Sequence, residues 1–410
     1  MAQVCEADEI SGLRLSGYGT ISSTFDDSDQ IAPFRDVSAS SNGESLELAD
    51  NLTWRLDSRI GLQVDYHFGQ KMELVFQGVL RDRNDPDVKH SIELAYLGIR
   101  PLTNMDVRVG RFGYDAFMMS DIRHTGYAYL WVRPPLEFYG WIPIFNIDGA
   151  DVTWRINQDD AQWRIRVQRG RHDTSLPMGG NSYSFDTNDI WSFTIARQSG
   201  PFRIKAGYSQ FSSQNELESL SGLHKGLEDI AAATAGMLPD VSAEAASLRN
   251  DIRFKDNGIR YMTIGAAYDD GTLVAQAEIA RSMVEGDFIP NGEMGYASVG
   301  YRLGDFTPYF TFSTINPGRN ALHKPESDWS LIEQASLQSS SIRMLNSTAM
   351  EQHTYSSGLR WDFHNQASLK FQWDNTHIHP LGYGLWWRKG NILEQSNTVN
   401  LYSISMEFVF

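Results

Sequence analysis

The segment SISMEFVF, residues 403–410, alternates strictly. Phe410, Phe408, Met406 and Ile404, with Tyr402 before them, fall on one side of an extended chain, and Glu407, Ser405 and Ser403 on the other. Successive side chains of a strand point to opposite faces, so one face is apolar and the other small, polar or charged. A soluble sheet with one face in a core gives the same pattern as a sheet with that face in lipid. The stretch alone defines a two-sided strand.

The same device recurs along the whole chain. In 59–68, Ile60, Leu62, Val64, Tyr66 and Phe68 alternate with Arg59, Gly61, Gln63, Asp65 and His67. After a turn at Gly69 and Gln70, Met72, Leu74, Phe76 and Leu80 oppose Glu73, Gln77 and Arg81. Trp163, Ile165 and Val167 alternate with Arg164, Arg166 and Gln168; Phe202, Ile204, Ala206 and Tyr208 with Arg203, Lys205, Gly207 and Ser209; Leu369, Phe371 and Trp373 with Lys370, Gln372 and Asp374.

The connections alternate too. Clusters of Gly, Asn, Asp or Pro suited to tight turns occur at 68–71, 101–104, 157–160, 198–201, 268–272, 303–306 and 363–366. Between them lie long polar segments at 25–50, 113–145, 172–187, 213–256, 316–350 and 378–396. Short turns at one end of a sheet and long loops at the other are expected of an outer-membrane barrel. With a first strand near 12–23 and a last at 397–410, the count is about sixteen strands, an even number. Closure removes the unpaired edges that an open sheet would expose to lipid. The expected fold is therefore all-β: one transmembrane, antiparallel, up-and-down barrel domain over residues 1–410. Trp154, Trp163, Trp191, Trp361 and Trp373 fall near strand ends on the apolar face, where a membrane interface favours them. An inward-facing position such as Ser405 should accept an arginine that Met406 or Phe408 would not.

Bulk composition is compatible with this. Hydrophobic residues are 41% and mean hydropathy is -0.37, values that read as soluble. A barrel hides its apolar band in every second residue. No run approaches the roughly 20 apolar residues of a membrane helix. The net charge of -16 argues against nucleic acid as a partner. Cys5 is the single cysteine, so no internal disulfide and no thiolate zinc cluster can form. The opening MAQVCEADEI has no apolar targeting segment and reads as a mature start with an added Met. Residues 217–252 depart from the strand pattern: they are rich in Ala and Leu at helical spacing, with Pro239 and 240–242 as a break and fresh start. Residues 213–256 are thus a long, partly helical extracellular loop, either a surface excursion or a lid.

With these features the sequence resembles a Gram-negative, proteobacterial outer-membrane porin of the sixteen-stranded type. Phe410, closing an alternating strand, is similar to the C-terminal signal for outer-membrane assembly. The stretch 107–140, VRVGRFGYDAFMMSDIRHTGYAYLWVRPPLEFYG, resembles a Gly-Arg strand followed by a "YAYPWVRPP"-like signature, with Leu130 where that signature has proline. The resemblance implies a water-filled channel for passive diffusion of small hydrophilic solutes and ions. It also implies outer-membrane lipid and lipopolysaccharide as surroundings, a homotrimer, no cofactor and no metal. Gly17 and Gly19, on the apolar face of the first strand, suit subunit contact.

In such porins the third long loop folds inward, and here that segment is 113–145, with Pro134, Pro135, Asp115, Asp121 and Glu137. Inward faces of neighbouring strands carry Arg108, Arg155, Arg164, Arg166, Arg203 and Lys205. A basic wall opposite an acidic loop makes a transverse field that favours anionic or carboxylated solutes. The other reading is that these arginines pair with Glu93, Asp106 and Asp151 and only solvate the lumen.

An outer-membrane lipase or protease is the competing class. His377 and His379, on one face near Asp374, are candidate pieces, and their spacing also suits a metal. No Gly-x-Ser-x-Gly elbow and no third ligand accompanies them. A non-conducting structural or receptor barrel would have similar loops and less need of an arginine ladder. A gated transporter with an N-terminal plug would need a folded domain before the first strand.

Overall fold

The computed structural model describes residues 12–39, 51–83, 87–178, 181–286, 288, 291–318, 323–388 and 394–410. Cys5 and residues 40–50 of the first long segment lie outside them. Sixteen long strands form the barrel: β1 Gly12–Asp26, β2 Arg59–Phe68, β3 Met72–Arg81, β4 Ile92–Leu102, β5 Met105–Gly113, β6 Asn146–Gln158, β7 Ala161–Met178 and β8 Asn181–Ser199, followed by β9 Phe202–Ser213, β10 Gly258–Asp269, β11 Leu273–Val284, β12 Gly292–Tyr301, β13 Phe306–Pro317, β14 Met350–His364, β15 Ala367–Tyr383 and β16 Asn397–Val409. Each is antiparallel to its neighbours, and β1 pairs with both β2 and β16, which closes the sheet. The seven tight turns expected from the Gly, Asn, Asp and Pro clusters all join consecutive strands. The segment 172–187 is a correction. Its residues pair as β7 and β8, with Phe185 opposite Thr174, so this hairpin runs on where a loop was expected.

The alternation read in 403–410 is realised in the barrel. Tyr402, Ile404 and Met406 point outward and are exposed, whereas Ser403, Ser405 and Glu407 point inward and are buried. Leu62, Phe76, Ile204, Phe310 and Phe371 extend the exposed apolar surface around the wall. Trp154, Trp191 and Trp361 stand on the same outer face.

Closure explains Gly17 and Gly19 from within the chain. Gly19 lies opposite Phe408 in the β1–β16 register, and a Cβ on Gly19 would strike the Phe408 ring, as one on Gly17 would strike Phe410. The rings of Phe408 and Phe410 thus lie over the two bare positions of β1, and the backbone pair Gly17–Phe410 is joined by hydrogen bonds in both directions, each 3.0 Å.

Met406→Arg should destabilise the folded barrel by up to about 2–4 kcal/mol if the residue sits near the bilayer midplane. Denaturant titration in lipid vesicles measures this, and a loss near zero would remove Met406 from the lipid face. Ser405 departs from the tolerance expected of a lumen position. It is 1% exposed, donates to Glu407 (3.0 Å) and lies opposite Lys370 in register, so arginine has no space there.

The interior is not uniformly polar. Inward-facing Phe211, Tyr261, Tyr296, Tyr309, Ile315 and Ile378 join aromatic residues of the segment 114–145 in one buried apolar cluster. A second, smaller core lies among the helices α1 Ser221–Thr234, α2 Pro239–Asp251 and α3 Ser336–Ser347, where Leu227, Ile230, Leu248, Ile342 and Leu345 pack around Trp329. Glu244 of α2 is buried at its edge, accepting from the Glu326 and Ser327 amides (2.9 Å each), Trp329 Nε1 and Gln338 Nε2. Burial alone would raise its pKa, but these donors outweigh it and hold the carboxyl below its ordinary value. Leu217, Leu220 and Phe254, which flank α1 and α2, belong to the lumen cluster and so anchor the helices to the barrel.

Candidate functional site

The segment between β5 and β6 enters the barrel through a neck closed by the Tyr114 amide on the Phe145 carbonyl (2.9 Å). A chain inside a barrel must satisfy its backbone groups on the wall, and this one does so strand by strand. Ser192 of β8 donates to the Asp115 carbonyl (3.3 Å) and Thr263 of β10 to that of Ala116 (2.9 Å). The Met118 amide donates to Glu278 of β11 (2.9 Å). The Val132 amide donates to Gln372 of β15 (2.8 Å), and beside it the Trp131 indole N–H donates to Thr311 of β13 (2.8 Å). Pro135 precedes a single helical turn, Leu136–Tyr139, that turns the chain back. Leu130, unusual against the resembled signature, packs where Gly300 of β12 leaves room.

Several cations fasten this segment on the far side from the predicted wall: Arg360 of β14 donates to the Tyr127 and Tyr129 carbonyls (2.7 and 2.9 Å) and Arg59 of β2 to that of His124 (2.7 Å), beside Lys370 and Arg133. Lys370 of β15, 0% exposed, donates to the carbonyls of Gly126, Tyr129 and Trp131 (2.7, 2.7 and 2.8 Å), with Glu407 3.9 Å away. Arg133 reaches out from the segment to Asp57 (2.6 Å) and Asp374 (3.6 Å). Sequence reading did not single out either residue. Alternation places Lys370, Asp374 and Glu407 on inward faces, but nothing local says what stands opposite.

The predicted site residues divide into one connected group and three outliers, Arg155, Arg203 and Glu137. Arg108 grips Asp151 with both ends of its fork (3.0 and 2.9 Å) and lies 5.3 Å from the centres of both the Tyr96 and Phe112 rings. Arg166 is 8% exposed and within 3.0 Å of Asp115, 3.3 Å of Asp121 and 3.6 Å of Asp151. Lys205 pairs with Asp115 and donates to the Phe117 carbonyl, both buried. Arg164 reaches Asp121 at 3.4 Å, and Arg155 pairs with Asp106 nearer the tight-turn rim. Arg203 also stands on the inward face near that rim, with no hydrogen bond or ion pair among the described residues. Glu137 lies apart, across the lumen, accepting from Ser313 and Gln352 (2.7 Å each) and from Thr354. Glu93 pairs with Arg83, outside the predicted set.

Burial works to raise the pKa of Asp115, but Lys205 and Arg166 outweigh it and hold the carboxyl far below its ordinary value. Asp121 feels burial and the Asp115 charge, both raising, yet Arg166 and Arg164 bring it below normal as well. Both are ionised at neutral pH. The group therefore runs from paired, dry charges at Arg166 to accessible ones at Asp121 and Arg164, whose side chains are 44% and 27% exposed. Such a gradient can hold a small ion at its wet end without a metal or a nucleophile.

The missing companion to His377 and His379 is His353 of β14, opposite His377 in register. The three outward rings lie 4.9–5.6 Å apart centre to centre, and His377 contacts Thr398 at 3.0 Å. Among the described residues no group of three His, Cys, Asp or Glu is arranged to hold a metal ion. His353 and His377 lie well apart in sequence, so only strand pairing shows the trio.

No family model and no curated protein matches this chain. Solved structures do resemble it in fold. OmpF of Salmonella typhi, in complex with daunomycin, superposes with a TM-score of 0.54 at 11% identity over 98% of each chain. The anion-selective porin from Comamonas acidovorans gives 0.50 at 11%, over 98% of this chain and 100% of that one. Outer-membrane expressed OmpT of Vibrio cholerae gives 0.50 at 10%, over 97% and 98%. The architecture is that of the sixteen-stranded outer-membrane porins, and the apolar belt outside the wall is the surface such a barrel presents to its bilayer.

Proposed function

We propose that this protein is a passive diffusion porin whose constriction is built from Asp115 and Asp121 of the inward segment against Arg108, Arg155, Arg164, Arg166, Arg203 and Lys205 of the wall. The observation that carries this reading is the accessible pair Arg164–Asp121, continuous with a buried ionic row that keeps its charges in place. Arginine suits the task because its planar fork engages a carboxylate with two bonds and its charge does not titrate. Small anionic or carboxylated solutes are the favoured cargo, and the anion-selective neighbour of the same fold is a reason to test anions first. Glu137 acts differently from Asp115 and Asp121 in this reading: it fastens the segment to β13 and β14. The protein works without a cofactor or chemistry of its own, as a homotrimer embedded among outer-membrane lipid and lipopolysaccharide.

Planar-bilayer recording under a salt gradient tests conduction and ion preference together. A silent, correctly folded barrel would instead favour a structural or receptor role. That second reading has one observation behind it, the apolar packing of the inward segment against β9 to β15. The enzyme alternative predicts turnover that depends on histidine. His377→Ala with His379→Ala should leave conductance unchanged, and the purified protein should show no lipase or protease activity. Turnover abolished by either substitution would replace the porin reading.

A further inference from the structure

The inward face of β7 continues past the ladder, from Arg164 and Arg166 through Gln168 and Gly170 to His172. At that upper, long-loop end a cavity of about 30 Å³ is lined by Arg81, Arg83, Glu93, Asn146, His172 and Thr174, with Phe145 at its back. This is roughly twice what one water needs, and it suits a carboxylate group better than a whole solute.

The lining is only partly satisfied. Arg81 donates to Asp36 and Ser38 (3.1 Å each), and Arg83 to Glu93 (2.5 Å) and the His90 carbonyl (2.7 Å). Nε of each guanidinium is nevertheless buried without a partner, as is Nε2 of His172. Leaving such a group unmet costs about 1–3 kcal/mol, more when it is charged. Asn146 holds His172 in place: its amide donates to Glu93 (2.9 Å), and its oxygen lies 3.2 Å from His172 Nδ1. Three unmet nitrogens therefore belong to side chains that line one small space.

The charges leave a surplus of the same sign. Arg123 sits over the Phe145 ring at 4.1 Å, and Arg81 over that ring at 4.5 Å. Arg123 bonds the Tyr139 carbonyl and has no carboxylate within ion-pair distance among the described residues. Arg81, Arg83 and Arg123 thus face two carboxylates, Asp36 and Glu93. His124, 3.4 Å from Glu93, adds no charge, because burial pushes its pKa down to about 3. Asp173 and Arg111 also line the cavity, each balanced by a partner of opposite charge, Lys89 and Asp148.

We infer that this cavity is an entry subsite for the carboxylate of a monoanionic solute, held by Arg81 and Arg83 above the ladder. The inference rests on the diffusion reading for its role in transport, and not for the binding itself. Binding is therefore measured on detergent-solubilised protein, by saturation-transfer NMR with acetate as probe, and acetamide and inorganic phosphate as comparisons. Acetate should bind and acetamide should not. Arg83→Gln should weaken acetate about tenfold, the loss of one charge-assisted contact. Thr174→Phe, which fills the space without removing a charge, should abolish binding at this cavity. Acetate bound equally by wild type, Arg83→Gln and Thr174→Phe would overturn the site, as would no binding to the folded wild type. Phosphate binding more tightly than acetate would overturn the carboxylate assignment. Acetate binding by a barrel that does not conduct would retire the diffusion reading and leave this site standing.

Discussion

Lys370→Met should release the inward segment and raise single-channel conductance, with large current fluctuations in place of steady steps. The ammonium sits at 0% exposure among three carbonyl oxygens, beside the carboxylate of Glu407. Methionine keeps most of the volume and removes the charge, so the Trp131 carbonyl loses its donor, those of Gly126 and Tyr129 keep only the Tyr129 amide and Arg360 (3.3 and 2.9 Å), and Glu407 loses its counter-ion. Breaking a buried ionic contact by removing one partner costs about 3–5 kcal/mol. A loss of about 3 kcal/mol changes the ratio of docked to undocked segment by roughly a hundredfold. The barrel strands keep their own ladder of hydrogen bonds, so the circular dichroism of a β-barrel should persist while trypsin gains access to Arg123. Unchanged conductance and unchanged proteolysis, in a variant that folds, would show that Lys370 does not hold the segment.

The second large effect concerns selectivity. Arg164→Ala with Arg166→Ala should move the reversal potential toward cations. Arg166 alone lies within ion-pair distance of Asp115, Asp121 and Asp151, and Arg164 supplies the accessible end of the same row. Removing both leaves three carboxylates to share Lys205 and Arg108. Asp115 and Asp121, held below their ordinary pKa partly by those arginines, would rise toward it and attract cations in their place. Neutralising Asp26 and Asp27 at the other end of β1 should shift the potential much less. Asp27 is exposed, already bonded to Asn400 (2.6 and 2.8 Å) and screened beyond about 8 Å at physiological salt, and Asp26 is buried and accepts from the Ser28 amide (3.1 Å). Equal shifts in the two double variants, or none from the arginine pair, would leave these arginines as internal structure without a part in ion choice.

Much of this architecture was legible in the chain because two physical periods are local. Side chains alternate every residue along a strand, so Ile404 and Met406 could be assigned outward and Ser403 and Glu407 inward without knowing any partner. Tight turns demand particular residues, so the seven short connections, and from them the strand number, followed from composition at fixed spacing. The segment 172–187 was misread for the same reason: polarity marks exposure to water, and a hairpin that extends into water is as polar as a loop.

What stands opposite an inward side chain is decided at long range, and no local period carries it. The sequence determined that Ser405, Lys370 and Glu407 face inward; only the tertiary structure decided that they face a dry, packed segment. It determined that Arg166 and Asp115 belong to the same half of the chain. The inward path of 114–145 decided that they touch, and that Glu137 ends on the opposite wall. Gly17 and Gly19 showed a bare stripe, whose covering by Phe410 and Phe408 depends on closing the first strand against the last. Alternation specifies a face. What fills that face depends on closure, register and loop path, which bring together residues as distant as Thr20 and Glu407.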